Sequence, residues 1–259
     1  MFTINHFIWL IICAELLAAG FTGLKKYKPT LQQALKIASM GAILSEAIKV
    51  FSVLQVVTST DGSTMHLFME LGHLPFHLCS IQIIFIFVAR FSKEGKMKES
   101  LLAFMYPTCA AGAFLALLMP SIFGSSIEVS QAFTHPLAYQ YFLYHVMLIL
   151  LGLYIPMCGE VNIQWKHFKV SFGILALLAF LSLYLNSMFA VPTYVNGELV
   201  SVEYSTNFFF TQATPIGIAL TEKWHWFLYH GILVGIAALL LGAFYLPFLK
   251  RERRAGQKA

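Results

Sequence analysis

The sequence predicts an all-α fold: a polytopic bundle of seven transmembrane helices, N-terminus outside and C-terminus in the cytoplasm. Three observations predict it. First, the chain of 259 residues is 58% hydrophobic and only 11% charged, where a soluble domain carries about 25% charged residues. Second, it contains seven apolar runs, at 3–24, 34–57, 71–91, 101–119, 136–156, 168–190 and 225–249. Each is close to the ~20 residues that a helix needs to cross a bilayer. Third, the charges segregate. Lys25, Lys26 and Lys28 follow the first span, and Arg90, Lys93, Lys96 and Lys98 follow the third. Lys166 and Lys169 flank the next connection on that side, and the tail from Lys250 adds five basic residues. The opposite connections carry Asp61, Glu70, Glu128, Glu198, Glu203 and Glu222, with Lys223 as their one base. Basic connections stay cytoplasmic, and an odd number of spans puts the termini on opposite sides as the charges require.

The first span, "NHFIWLIICAELLAAGFTGL", lacks the basic leader of a cleaved signal and reads as a retained helix containing Glu15. The second holds Glu46 and Lys49, three apart and therefore on one helical face, where they can pair. The third opens "LGHLPFHLCSIQ". Helical spacing puts His73 and His77 on one face, and Cys79 about 200° around from His77. Pro75 and Pro107 are expected in the first turns of their helices, where proline is tolerated or kinks the chain. The fifth span contains His145, the sixth Asn186, and the seventh His225 and His230. "FLYH" occurs in both the fifth and the seventh, but Pro156 follows His145 by 11 residues and Pro247 follows His230 by 17. The repeat marks a similar depth rather than a duplicated unit.

The long outer connection, 191–223, has two parts. "VNGE" between β-prone residues predicts an exposed hairpin. "NFFFTQATPIGIAL" is too apolar for a solvated loop and too short for a span, which predicts a re-entrant or interfacial segment packed on protein. The chain reads as one transmembrane domain, 1–259, in the cell membrane.

Its net charge of +5 lies where the positive-inside rule places it, so its partners are membrane phospholipids and not nucleic acid. Cys13, Cys79, Cys109 and Cys158 have neither metal-site spacing nor the pattern of a disulfide scaffold. No metal or other cofactor is expected.

Ionisable groups inside a membrane mark cavities and functional sites. Spans 3, 5 and 7 enter from outside, which places His77, His145 and His230 in the outer half. Asn186 near the end of span 6 and Glu46 in the middle of span 2 complete a candidate cluster with Cys79. A cysteine–histidine pair would join Cys79 to His145 or His230 from another helix.

The elements "LPFHLC", "YPTCAAGAFLALLMP" and "YHVMLIL", with the Asn186 region, resemble the bacterial YwaF-like integral membrane family, itself related to the TMEM164-type membrane proteins of animals. The resemblance runs from span 2 through span 7. It implies phospholipid acyl chemistry through a cysteine acyl-enzyme, with Cys79 at the nucleophile position, His77 in the same motif and His145 as the buried histidine of the later span. An asparagine element expected after span 6 has two counterparts here, "LNSMF" and "STNFFF". On this reading Cys79 attacks, His145 is the base, and Asn186 or His77 polarises the carbonyl. Glu46, Lys49 and His230 contact the substrate. The outer-half depth suits a lipid ester. The alternative is a proton-coupled transporter of small molecules or lipids using the buried Glu and His residues, a class in which internal repeats are common. A third class, a structural or metal- or haem-binding membrane protein ligated by His77, His145 and His230, lacks CxxCH or HExxH support.

Overall fold

The computed structural model describes residues 3–123 and 126–256, with side chains to residue 250. Lys258 of the basic tail lies outside the described residues. Seven α-helices follow in order among them: α1 Ile4–Tyr27, α2 Leu31–Val53, α3 Leu78–Phe91, α4 Lys96–Leu118, α5 Pro136–Met157, α6 His167–Met188 and α7 Lys223–Gly256. Five of these are long and apolar enough to cross a membrane: α1, α4, α5, α6 and residues 223–250 of α7. The chain is a multi-pass, membrane-type helical protein. Two antiparallel hairpins interrupt the helices, β1 Gln55–Thr58 with β2 Met65–Phe68, and β3 Ala190–Val195 with β4 Glu198–Tyr204.

Local chemistry sets the helix ends. Thr30 and Gln33 form a reciprocal capping box at the start of α2. The Glu160 carboxylate accepts from the Leu31 N–H at 2.9 Å, on the same orphan donors. Pro136 stands in the first turn of α5, where its missing N–H costs nothing. Asn196 and Gly197, both at positive φ (53° and 83°), turn the β3–β4 hairpin as "VNGE" predicts.

Packing divides the chain into two units. The first comprises Met1–Met69 with Ile81–Ile163. Its centre is α5, on which α4, α2 and α1 pack. Gly152 makes the α4–α5 contact close: a Cβ there would lie 2.8 Å from the Ala110 nitrogen and 2.9 Å from the Tyr106 oxygen. On the other flank of α5, Trp9 stacks on Phe142 with centroids 4.5 Å apart, and its indole N–H donates to Ala132 O at 2.8 Å. The second unit comprises Glu70–Ser80 with Gln164–Ala259. There α6 and α7 pack together, and the Ser171 and Tyr245 hydroxyls, both on buried residues, meet at 2.8 Å.

Three expectations need correction. The second run does not continue as helix to residue 57. It stops at Val53, and Gln55–Thr58 turns back against Met65–Phe68. The Asp-Gly turn between them drives this: Asp61 accepts from Ser59 and Ser63, bonds that hold its carboxyl down to about 2. The third run is α-helical only from Leu78; residues 71–73 form a 3₁₀ turn. Pro75 forces this, because the residue before proline is pushed from the helical region, and Leu74 sits at φ −60°, ψ 147°. His73 and His77 therefore do not share an α-helical face. Pro107 stands deep within α4, which begins at Lys96, rather than in its first turns.

Candidate functional site

The candidate residues fall into two groups, one in each unit. In the first unit, α2 places Glu46 and Lys49 on one face, and their charges meet at 2.8 Å. This is the pair expected from their spacing. Lys49 is buried despite its charge, consistent with the need to pair an ammonium taken out of water. Nearby in sequence, Ser45 accepts from the Gln140 amide at 2.7 Å, linking α2 to α5.

His145 is buried in α5, and its Nδ1 lies 2.6 Å from the Tyr141 carbonyl oxygen. A carbonyl only accepts, so the proton of the neutral ring belongs on Nδ1 and the lone pair on Nε2. That tautomer is the one a general base needs. The first unit also holds a polar set that the sequence reading missed. Gln82 of α3, fully buried, donates to Thr108 Oγ1 at 3.0 Å and accepts from the Cys109 thiol at 3.3 Å. Its signal was a glutamine inside the apolar run "CSIQIIFIF".

The second group is built around Asn186, which is fully buried near the end of α6. Its Oδ1 accepts from the Phe208 N–H and from the Thr206 hydroxyl, both at 2.9 Å. Its Nδ2 donates to Phe208 O at 3.0 Å and to Thr211 Oγ1 at 2.9 Å. Donors meet acceptors on both sides, which fixes the orientation of the amide. The side chain thus clamps residues 206–211 onto α6, and both donors that would polarise a substrate carbonyl are engaged within the protein. The two counterparts of the asparagine element, "LNSMF" and "STNFFF", come together in this clamp. Asn207 shapes the next turn, accepting from the N–H groups of Gln212 and Ala213.

Residues 208–210 form a 3₁₀ turn in which Phe209 and Phe210 hold positive φ (56° and 57°). Consecutive non-glycine residues in that region are strained, and such strain persists where surrounding contacts over-determine it. The contacts are visible. Phe208 is fully buried, and its ring meets His77 edge-on at 5.0 Å and Phe76 at 5.6 Å. His230 of α7 places Nε2 3.1 Å from Thr211 O and Nδ1 2.8 Å from Trp226 O, so both ring nitrogens address backbone carbonyls. Ser182 completes the set at 3.2 Å from Thr211 Oγ1.

Cys79 occupies the first turn of α3, two residues after His77, and is half-buried. The unexpectedly late start of α3 changes its setting: the cysteine sits at a helix N-terminus rather than two turns inside a helix. The backbone N–H groups of a first helical turn have no carbonyl four residues earlier to bond within the helix, and the positive end of the helix dipole lies there. Thr206, Phe208, Thr211 and Ser182 were not singled out by the sequence reading. Among the described residues, no group of three or more His, Cys, Asp or Glu side chains is placed to hold a metal ion.

No curated protein and no solved structure matches the chain. The family comparison is positive: a model of the TMEM164 family matches residues 1–245. That match covers most of the chain, and the protein belongs to the TMEM164 family.

Proposed function

We propose that the protein is a membrane-embedded phospholipid acyltransferase or acyl hydrolase acting through a cysteine acyl-enzyme at Cys79, as a YwaF-like bacterial member of its family. The observation that carries this reading is the placement of Cys79 in the first turn of α3, directly after His77, whose ring packs on the clamped Phe208 turn. A first helical turn presents backbone N–H groups suited to a developing oxyanion. His145, with its lone pair on Nε2, has the tautomer of a general base and takes that role as the resemblance implies. Asn186 acts by holding the Phe208 turn, while His77 stands beside the nucleophile. Glu46, Lys49 and His230 are proposed substrate contacts, with the ion pair suited to a zwitterionic headgroup.

The chemistry has two half-reactions. The Cys79 thiol gives its proton to the base, and its sulfur attacks the ester carbonyl of a phospholipid. The C–O ester bond breaks, and the lysophospholipid leaves with that proton on its hydroxyl. The thioester is then attacked by the hydroxyl of a second lysophospholipid, or by water, and the C–S bond breaks to restore the thiol. This reading further holds that all seven helices cross the cell membrane, with the N-terminus outside.

The test is lipid turnover followed by mass spectrometry in purified, reconstituted protein. Wild type should redistribute or release acyl chains, and Cys79→Ala should abolish this together with covalent labelling by a thiol-directed lipid-like probe. His145→Ala should lower the rate by about a hundredfold, the usual scale of general-base loss. Full turnover in Cys79→Ala would overturn the proposal, as would lipid or proton flux without any chemical turnover in the wild type.

A further inference from the structure

The second unit contains a groove that the Cys79 chemistry does not require. It has a volume of about 240 Å³ and lies between the segment Thr214–Leu220 and the first turns of α7, where His225, Leu228, Tyr229 and Ile232 line it. A tight turn, "TPIG", leads from Thr214 to Ile218 on one wall. The Gly217 N–H donates to Thr214 O at 3.2 Å, and Gly217 takes a φ of 73° that a side chain would strain. The Thr214 hydroxyl is consumed by Ile218 O at 3.0 Å. On the opposite wall the Tyr229 hydroxyl donates to Phe210 O at 2.6 Å. Both hydroxyls that line the groove are thus engaged by the protein's own backbone, and most of what the walls offer a ligand is carbon.

The surroundings decide which ligand. Ile216, Ile218, Leu228 and Ile232 are 65%, 60%, 53% and 51% exposed, beside or on a helix apolar enough to cross a membrane. In that setting the medium that meets the groove is lipid. One end is polar. His225 Nδ1 accepts from the Glu222 N–H at 3.3 Å, so the neutral ring carries its proton on Nε2 and has a donor to offer. Trp224 packs on the same ring with centroids 4.0 Å apart, an aromatic pairing of the kind that lies at headgroup level.

We propose that this groove binds a phospholipid, with one acyl chain laid between Ile218 and Ile232 and an ester carbonyl accepting from His225 Nε2–H. Apolar walls with a single placed donor are the usual make-up of a small-molecule site. The proposal stands on the groove alone and holds whether or not Cys79 is a nucleophile. Occupancy would also bear on Tyr229, whose hydroxyl anchors the strained Phe210 carbonyl.

The experiment uses full-length protein in nanodiscs doped with a phosphatidylcholine that carries a diazirine in its acyl chain, with cross-links mapped by peptide mass spectrometry. Labelling within 214–232 should saturate as the probe's mole fraction rises. Labelling around Val234 and Leu239, on the exposed face of α7, should rise in proportion. Ala219→Trp, which fills the groove, should remove the saturable labelling and leave the proportional labelling as an internal sign of folding. His225→Leu should raise the half-saturating fraction about fivefold, the worth of one hydrogen bond. Proportional labelling throughout in the wild type would overturn the proposal without any variant. So would saturable labelling that survives Ala219→Trp.

Discussion

At the scale of single residues, Asn186 shows how one polar side chain can organise a loop inside a membrane protein. Four hydrogen bonds leave none of its capacity unused. Replacing it by alanine strands the Phe208 N–H and the Thr206 hydroxyl in a buried site, while Phe208 O and the Thr211 hydroxyl keep each other and Ser182. Losing buried partners costs about 1–3 kcal/mol for each group left unsatisfied. We expect Asn186→Ala to destabilise the protein by about 3 kcal/mol or more, seen as a lowered thermal midpoint in detergent. Asn186→Asp keeps the two acceptor interactions but sets a carboxylate oxygen against Phe208 O in a buried site, and should cost at least as much. An alanine variant within about 0.5 kcal/mol of wild type would show that the clamp is not structural. Asn186 itself was legible, because an asparagine in an apolar helix calls for an explanation. Its partners were not: they lie 20 to 25 residues further along, and only the fold-back of "STNFFFT" brings them within reach.

Helices and strands differ in how plainly their sequences announce them. "VNGE" marks its hairpin because both turn residues tolerate positive φ and the flanks are β-prone. The first hairpin carries an equally good Asp-Gly turn, yet "FSVLQVV" extends the preceding apolar run and reads as the end of a span. Length and hydrophobicity alone do not separate a helix end from a short apolar strand, here one exposed along its length. α3 was mistaken in the other direction, since a single proline removed its first seven residues and moved Cys79 to a helix N-terminus.

Helix contacts allow a sharper prediction. Gly152 meets the α4 backbone, whereas Gly231 and Gly235 of α7 have nothing within 4 Å of an added Cβ. Gly152→Ala must push α4 and α5 apart, because the atoms it meets are main chain. It should cost about 1–3 kcal/mol, as overpacking does. Gly231→Ala or Gly235→Ala should be neutral or stabilising by up to about 1 kcal/mol through helix propensity. Thermal midpoints of the three variants side by side would check this, and equal effects would refute the contact.

For the whole molecule, charge distribution carries the orientation, because helices cross a bilayer with their basic connections retained in the cytoplasm. α2 and α3 matter most for the count: α2 holds Lys36, Glu46 and Lys49, and α3 has only 14 residues. At 1.5 Å per residue α3 rises about 21 Å, short of the ~30 Å hydrocarbon core. Residues 71–77 before it, a 3₁₀ turn and irregular backbone, would have to span the remaining depth, which such backbone can do only against protein or water. If both helices cross, Asp61 and Glu198 lie outside while Lys93 and Glu160 lie inside. Cysteines placed singly at these four positions, in a Cys158→Ser background, should divide cleanly under a membrane-impermeant maleimide applied to intact cells. Those at 61 and 198 should label at once, and those at 93 and 160 only after permeabilisation. Labelling of 93 together with 61 would mean that α3 enters and leaves by the same face. In that case Cys79 would sit on a re-entrant segment, and the odd number of crossings that the basic connections require would have to be made up elsewhere.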